Sequence, residues 1–172
     1  MNEQSILNSG VGRKLVFLGH AADMITILLS ADSSDQTEYA IHIMAKGAVF
    51  YQGKQLTNTE EIDEYNKALT RSLYEVKTAK LLSSKKDFVL QAISYDSKFS
   101  LSLVFSHELV IRSLQDSNLN PDDELWRVFF PWRAESSIVC RRSGIELEQP
   151  DFSQEELNRI RHLLHQRGRS YQ

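Results

Sequence analysis

The strongest constraint on the fold is a run of alternating residue types from Phe99 to Phe105. Its odd-numbered positions are large and apolar, and its first two even-numbered positions are serine. Side chains of a β-strand point to alternate faces, so this run predicts a strand with one buried and one largely solvated face. It lies within a longer stretch, Phe88–Arg142, whose apolar runs and turn signals predict a meander of antiparallel strands.

The last two strands of this stretch follow a polar loop, Asp116–Glu124. The run Leu125–Phe130 has apolar residues on both faces, which is typical of a strand that is central or covered by a helix. Pro131 cannot donate to a strand ladder and is expected to end this strand. Ser137–Arg141 is the final predicted strand.

The N-terminal part of the chain has similar strand signals. Residues 14–56 contain short apolar runs separated by turn residues, and we expect three or four short strands there. Residues 1–12 are polar and are expected to be a loose end. The core is predicted to include Phe99, Leu101, Leu103, Phe105, Trp126, Val128, Leu69 and Leu73.

Two segments have helical spacing. Thr57 and Glu60 match a capping box, and apolar residues then recur every three or four positions, so one long helix is predicted over Glu60–Leu82. A second helix is predicted over Gln154–Gln166. Residues 168–172 should fray beyond it.

Together these elements predict a single α+β domain spanning residues 1–172. We expect an antiparallel meander sheet that packs against one long helix and a C-terminal helix. The sequence does not decide whether this sheet is curved or forms a half-barrel. The hydrophobic fraction of 41% and the charged fraction of 25% are ordinary for a globular protein.

Charge is distributed unevenly along the chain. Residues 88–158 hold 12 acidic and 6 basic side chains, whereas residues 159–172 hold 4 basic and none acidic. A nucleic-acid footprint usually spreads over a whole face, so the Arg-rich C-terminal helix alone does not favour a nucleic-acid partner. The acidic stretch favours a basic protein partner.

The apolar segment Leu15–Leu29 raises the question of a membrane span. His20 and Asp23 interrupt it, and it is too short and too polar for a spanning helix or a signal peptide. We therefore predict a cytoplasmic protein with no membrane contact.

The sequence contains no recognisable catalytic signature. It lacks a Gly-rich phosphate loop, a Gly-x-Ser-x-Gly elbow and a His-Glu-x-x-His motif, so no catalytic residue and no cofactor is predicted. Cys140 is the only cysteine and is interpreted as a buried apolar residue. His162 and His165 are three residues apart but lack further ligands, so no metal site is predicted.

The best candidate for a binding surface is the pair Trp132 and Arg133, because an exposed tryptophan beside an arginine is typical of an interaction hot spot. The acidic residues Asp122 and Asp123 are added to this candidate protein-binding set. Their partner and the oligomeric state of the chain stay open.

Two other functions are possible alternatives to protein binding. A curved sheet could bind a small molecule in a pocket lined by His42, Tyr51 or Tyr95. An unrecognised hydrolase or nuclease could also use His and acidic residues that the sequence does not group.

The run from Asp123 to Phe129 carries a short Glu-x-Trp-Arg pattern followed by aromatic residues. It resembles small uncharacterised bacterial proteins that end in such a strand and are similar to immunity-type proteins found near toxin genes. The resemblance covers residues 88–140 and, more loosely, Glu38–Tyr65. It implies a non-enzymatic bacterial protein that acts through protein contacts, and it carries over no catalytic residue.

Overall fold

The computed structural model describes residues 2–30, 37–66, 68, 70–115 and 118–168. Within these residues the chain forms two large antiparallel sheets, a small two-stranded sheet and three α-helices. This confirms the predicted α+β class with antiparallel sheets and a C-terminal helix. The helices are α1 (Glu3–Asn8), α2 (Leu73–Leu82) and α3 (Gln154–Gly168).

The larger sheet, called sheet A, has six strands. Their bounds are β1 (Lys14–Ala21), β2 (Met24–Ser30), β3 (Thr37–Ile43), β11 (Glu124–Phe129), β12 (Ser137–Arg141) and β13 (Gly144–Glu148), which is also their spatial order. Its centre is the pairing of β3 with β11, in which Ile41 lies opposite Val128. The strand predicted over Leu125–Phe130 is thus present as β11, Glu124–Phe129, and of the two predicted positions, central or covered by a helix, it takes the central one.

The second large sheet, called sheet B, has five strands. In spatial order they are β5 (Lys54–Asn58), β4 (Gly47–Tyr51), β10 (Leu109–Ser113), β9 (Leu101–Phe105) and β8 (Leu90–Tyr95). The strand predicted over Phe99–Phe105 is shorter in the structure, because β9 begins at Leu101 and Phe99 has a left-handed φ of +63°. The odd-numbered residues of β9 are buried and its even-numbered residues are half-buried. The small sheet pairs β6 (Tyr65–Asn66) with β7 (Arg71–Ser72).

The inner faces of sheets A and B share one apolar core. Trp126 of β11 is fully buried within it, and its indole Nε1 donates to the carbonyl oxygen of Phe99 (2.8 Å). The two sheets are also joined along one edge, where the backbone N–H of Leu15 donates to Phe88 and that of Leu90 donates to Arg13. The meander is thus divided between two sheets that meet at this edge.

The predicted long helix over Glu60–Leu82 is wrong in its first half. Residues Thr59–Ile62 form a 3-10 turn, β6 and β7 follow, and α2 begins only at Leu73. Thr70 has a φ of +53°, a left-handed conformation that cannot continue a right-handed helix.

Thr57, which was predicted to begin a helix with a capping box, makes a different hydrogen bond in the structure. Thr57 Oγ1 donates to Glu61 Oε2 (2.6 Å), and the side chain of Asn58 caps the 3-10 turn. The capping box of α2 is instead formed by Ser72 and Glu75, which exchange side-chain and backbone hydrogen bonds.

The prediction of a loose N-terminus over residues 1–12 is also wrong. Residues Glu3–Asn8 form α1, capped by the side chain of Asn2, and both Ile6 and Leu7 are buried. The phenol of Tyr95 donates a short hydrogen bond to the carboxylate of Glu3 and so ties α1 to sheet B.

Several smaller predictions are refined. Strand β13 was not anticipated, and Leu73 and Phe99 are half-buried although they were expected in the core. Leu69 and residues 169–172 lie outside the described residues. Within the described ranges, every helix is too short or too polar to cross a bilayer.

Candidate binding cleft

A cleft of about 680 Å³ lies against the outer face of sheet A, beside the start of α3. Residues of β3 and β11 form its floor. The turn after β11 forms one wall, and the segment 149–152 with the first turn of α3 forms another. We call this site the α3 cleft.

The floor combines a histidine, an arginine and a phenylalanine. Arg127 lies directly opposite His42 in the β3–β11 register. The ring of Phe129 meets the ring of His42 edge to face, with centroids 4.8 Å apart. The outward-facing positions of two central strands thus place a cation, an imidazole and an aromatic ring side by side.

Carboxylates hold Arg127 in a fixed orientation. Its Nε and Nη2 donate to the two carboxylate oxygens of Glu124 (2.9 and 3.0 Å), and its Nη1 lies 3.1 Å from Glu148. A bidentate pair of this kind restricts the guanidinium plane. The hydrogen bonds that Arg127 donates to Glu124 also raise the pKa of Arg127 above its ordinary value.

The surroundings of His42 favour the neutral form of its imidazole. Burial lowers its pKa below the usual value for histidine, and the positive charge of Arg127 lowers it further. A neutral ring can donate from one nitrogen and accept at the other, so the floor offers both functions to a ligand.

Trp132 forms the wall nearest to α3 and is half-buried. The side-chain amide of Gln154 fixes its backbone: Nε2 donates to the carbonyl oxygen of Trp132 (3.1 Å), and Oε1 accepts from the N–H of Ala134 (3.0 Å). The guanidinium of Arg161 lies 5.9 Å from the indole centroid, within cation–π range. The first two turns of α3 therefore hold the tryptophan in place.

Arg133 is exposed at the rim of the cleft. Its guanidinium lies 3.1 Å from Glu38, which also pairs with Arg13 at 2.9 Å, and 3.5 Å from Glu135. Arg133 is the most exposed member of this group, with 42% of its side-chain surface accessible, so its guanidinium can be reached by a partner.

The lining of the cleft is more acidic than basic. Two guanidinium groups, Arg127 and Arg133, face four carboxylates. The carboxylates belong to Glu124, Glu135, Glu148 and Asp151. Between these charges stand aromatic groups, including Phe129, Trp132 and the half-exposed Phe152.

Comparisons with known proteins return no match. A scan against protein-family models, a search of curated proteins and a search of solved structures each find none for this chain. The chemistry of the α3 cleft is therefore the basis for assigning a function.

The other predicted protein-binding residues lie away from the cleft. Asp122 is exposed and precedes β11, whereas Trp132 follows that strand, so the length of β11 separates them by about 20 Å. Asp123 accepts a hydrogen bond from the N–H of Asn120 (2.7 Å) and so closes its own loop. The structure brings Trp132 and Arg133 together but not these two aspartates with them.

The three predicted ligand-pocket residues do not share a pocket. His42 lies in the α3 cleft, whereas Tyr51 and Tyr95 belong to sheet B. The phenol of Tyr51 accepts from Lys86 Nζ (2.7 Å). Tyr95 packs its ring on Trp126, with centroids 5.8 Å apart, and its pKa is raised mainly by the hydrogen bond to Glu3.

Cys140 and His162 are not among the residues that line the α3 cleft. Cys140 is fully buried, as predicted, and burial raises the pKa of its thiol to about 12. His162 is exposed, and the side chain of His165 lies outside the described part of the chain. Among the described residues, no group of three or more His, Cys, Asp or Glu side chains could hold a metal ion.

Sequence reasoning missed Arg127, Phe129, Glu148 and Phe152 as site residues. A signal for two of them was present, because Arg127 and Phe129 share the face of β11 opposite Trp126, and His42 lies on the face of β3 opposite Ile41. Glu148 and Phe152 gave no such signal, because the edge strand β13 was not anticipated and the segment after it returns along the cleft.

Proposed function

We propose that this chain is a non-enzymatic protein-binding module and that the α3 cleft receives a segment of the partner protein. The observation that carries the proposal is the position of Trp132. Its backbone is held by Gln154, and its half-buried ring lies at the wall of an open cleft, beneath the Arg161 guanidinium and beside the exposed Arg133. A rigid aromatic group next to an arginine is the composition that dominates binding energy at protein interfaces.

The lining chemistry indicates the kind of segment that would fit. The excess of carboxylates over guanidinium groups favours a basic side chain, and the aromatic groups of Phe129, Trp132 and Phe152 favour an apolar neighbour. Binding of a basic segment to the acidic lining of the cleft should weaken as the salt concentration rises.

The test is capture of a partner from lysate of the native host at low and high salt. We expect one stoichiometric protein to bind the wild type at low salt and to be released at high salt. Trp132→Ala should weaken this binding by at least about thirtyfold, because truncation of a hot-spot residue costs about 2 kcal/mol or more.

Tyr65→Ala is the matched control. Tyr65 is an aromatic residue with 60% of its surface exposed, and it lies in the small β6–β7 sheet, outside the cleft. The control should retain the partner. Equal retention by Trp132→Ala and the wild type would show that the partner binds elsewhere and would contradict the proposal.

A second function is favoured by one observation. The cleft volume lies within the range of small-molecule sites, and the neutral imidazole of His42 lies on its floor. If no protein is captured, a thermal-shift screen with metabolites should then reveal a ligand whose effect disappears in His42→Ala but not in Tyr51→Ala.

The biological setting is part of the same proposal. The resemblance of the Glu124–Arg127 strand to immunity-type proteins supports a bacterial immunity or regulatory role in the cytoplasm. In that case the captured partner should be a toxin-like or regulated protein encoded near this chain, and co-expression should neutralise its activity.

A further inference from the structure

A second cavity opens at the end of sheet B where β10 finishes. Its volume is about 420 Å³, within the range of small-molecule sites, and it shares no lining residue with the α3 cleft. The turn between β8 and β9 forms one wall, and residues that follow β10 and β12 form the others. We call this cavity the Lys98 pocket.

The described lining of the Lys98 pocket carries two positive charges and no carboxylate. The charges belong to Lys98 and Arg142, which are both exposed and form no ion pair with a described carboxylate. Arg142 donates one N–H to the carbonyl oxygen of Leu119 and keeps further N–H groups for a ligand. The acid nearest to Lys98 in the sequence, Asp96, accepts through Oδ1 from the backbone N–H groups of Lys98 and Ser100 (2.8 and 2.9 Å). That oxygen therefore closes its own turn, and the described lining is net positive.

A buried hydroxyl adds a hydrogen-bond donor to this lining. Ser113 has only 6% of its surface exposed, and its Oγ accepts from the backbone N–H of Leu101 (2.7 Å). The O–H proton of Ser113 has no acceptor among the described residues, and Ser113 lines the pocket. A buried donor gains free energy from finding an acceptor, so this proton favours a ligand oxygen.

The apolar part of the lining rests on an unusual backbone conformation. Phe99 has a φ of +63°, a left-handed conformation that is uncommon for a bulky residue. Trp126 holds it there, because its indole Nε1 donates to the Phe99 carbonyl oxygen (2.8 Å). Leu125 and Ala45 complete the apolar lining. Backbone strain that the surrounding structure maintains is common at ligand sites, and here it places Phe99 in the same lining as the two cations.

The composition of the lining indicates the chemistry of the ligand. A phosphate monoester carries close to two negative charges at neutral pH and three acceptor oxygens, which matches two cations and a hydroxyl better than a single carboxylate does. We propose that the Lys98 pocket binds a small phosphate monoester with an apolar body. The phosphate lies against Lys98, Arg142 and Ser113, and the apolar body lies against Phe99. The inference does not depend on the proposed function, because the two sites share no residue.

Isothermal titration calorimetry with phenyl phosphate at low salt tests the cationic part of the site. The wild type should bind one equivalent. Lys98→Gln and Arg142→Gln should each raise the dissociation constant about tenfold, because each removes a charge-assisted hydrogen bond to the phosphate. Circular dichroism should confirm that both variants are folded.

Lys54→Gln is the matched control for the loss of a positive charge. Lys54 pairs with Tyr51 at the opposite end of sheet B from Ser113, so this variant should bind phenyl phosphate like the wild type. Binding that is undetectable at about 10 mM phenyl phosphate would overturn the proposal. The same holds if the double variant of Lys98 and Arg142 binds unchanged, or if Lys54→Gln weakens binding as much as Lys98→Gln does.

Two further probes test the assignment of the ligand class. Inorganic phosphate lacks the apolar body and benzoate lacks the second negative charge, so both should bind more weakly than phenyl phosphate. Equal affinity of benzoate and phenyl phosphate would contradict a phosphate site. Equal affinity of inorganic phosphate and phenyl phosphate would contradict the role of Phe99.

Discussion

At the scale of single residues, the two tryptophans have opposite roles. Trp126 fills the core between the two sheets, and its indole N–H is satisfied by the Phe99 carbonyl. Trp132 lies at the surface and is held from outside by α3. The sequence placed Trp126 in the core and Trp132 in a more exposed position, because strand parity and Pro131 distinguish them.

Trp126→Ala should therefore destabilise the domain by about 3–5 kcal/mol, because it leaves a large cavity and an unpaired carbonyl. Urea denaturation measures the change in free energy of unfolding. Trp132→Ala, as the control, should cost much less. An unchanged melting temperature for Trp126→Ala would refute its role in the core.

His42 should make the stability of the domain depend on pH. Its pKa is lowered in the folded state by burial and by Arg127, so the unfolded chain binds a proton at His42 more readily. Stability should be complete above the ordinary histidine pKa of about 6.5 and should fall as the pH drops through the folded-state pKa.

The measurement is a series of urea midpoints between neutral and mildly acidic pH, for the wild type and His42→Gln. The variant should lose less stability on acidification than the wild type. Parallel pH profiles for the two proteins would show that His42 does not titrate as the structure indicates.

At the scale of elements, two helices begin with the same capping box in different settings. Ser72 caps α2, which packs against β1 and β5, and is itself buried. Ser153 pairs with Glu156 at the exposed start of α3. The same local chemistry therefore supports one helix within the packed domain and one at its periphery.

Ser72→Ala is expected to cost about 1–2 kcal/mol of unfolding free energy, whereas Ser153→Ala should cost less than about 0.5 kcal/mol. The difference arises because fraying of α2 also disrupts the core, whereas fraying of α3 does not. Guanidinium denaturation of both variants provides the comparison. Equal costs would show that α3 is as strongly coupled to the core as α2.

Sequence patterns correctly predicted those elements whose conformation depends on the local order of residues. The alternation after Phe99 and the bounds Ser137–Arg141 are correct because strand parity is a local property. The long helix over Glu60–Leu82 is wrong because helical spacing alone could not reveal the left-handed Thr70 or the cap at Ser72. The division of the strands into two sheets could not be predicted from local patterns, because it depends on the long-range pairing of β3 with β11.

At the scale of the whole molecule, α1 closes one end of the core. Ile6 and Leu7 are buried, and the phenols of two distant strands, Tyr39 and Tyr95, bond to this segment. A six-residue helix gave too weak a periodic signal to be predicted. Its stability comes from tertiary contacts rather than from helix propensity.

Ile6→Ala should thus cost about 2–5 kcal/mol, as for other buried isoleucines. Val11→Ala is the matched control, because Val11 is close in sequence but has 43% of its surface exposed, and it should change stability by less than about 0.5 kcal/mol. Thermal denaturation of both variants measures the difference in their melting temperatures. Similar melting temperatures for both variants would mean that α1 is not part of the cooperative unit.

The α3 cleft is also a property of the whole molecule. His42, Arg127 and Trp132 carry no joint motif, and they meet only because β3 pairs with β11 and the chain after β13 returns along the cleft. The sequence therefore identified Trp132, Arg133 and His42 as candidates without showing which of them lie together.

The β3–β11 pairing has a consequence for how the protein is made. Residue 41 pairs with residue 128 at the centre of sheet A, so strands β1 to β3 leave the ribosome long before their neighbour β11 is synthesised. At about 5–20 residues per second, one side of β3 remains without its partner for several seconds. The nascent chain must therefore pass through a stage in which an apolar strand edge is open to misassociation, and folding should be limited by this late, long-range pairing.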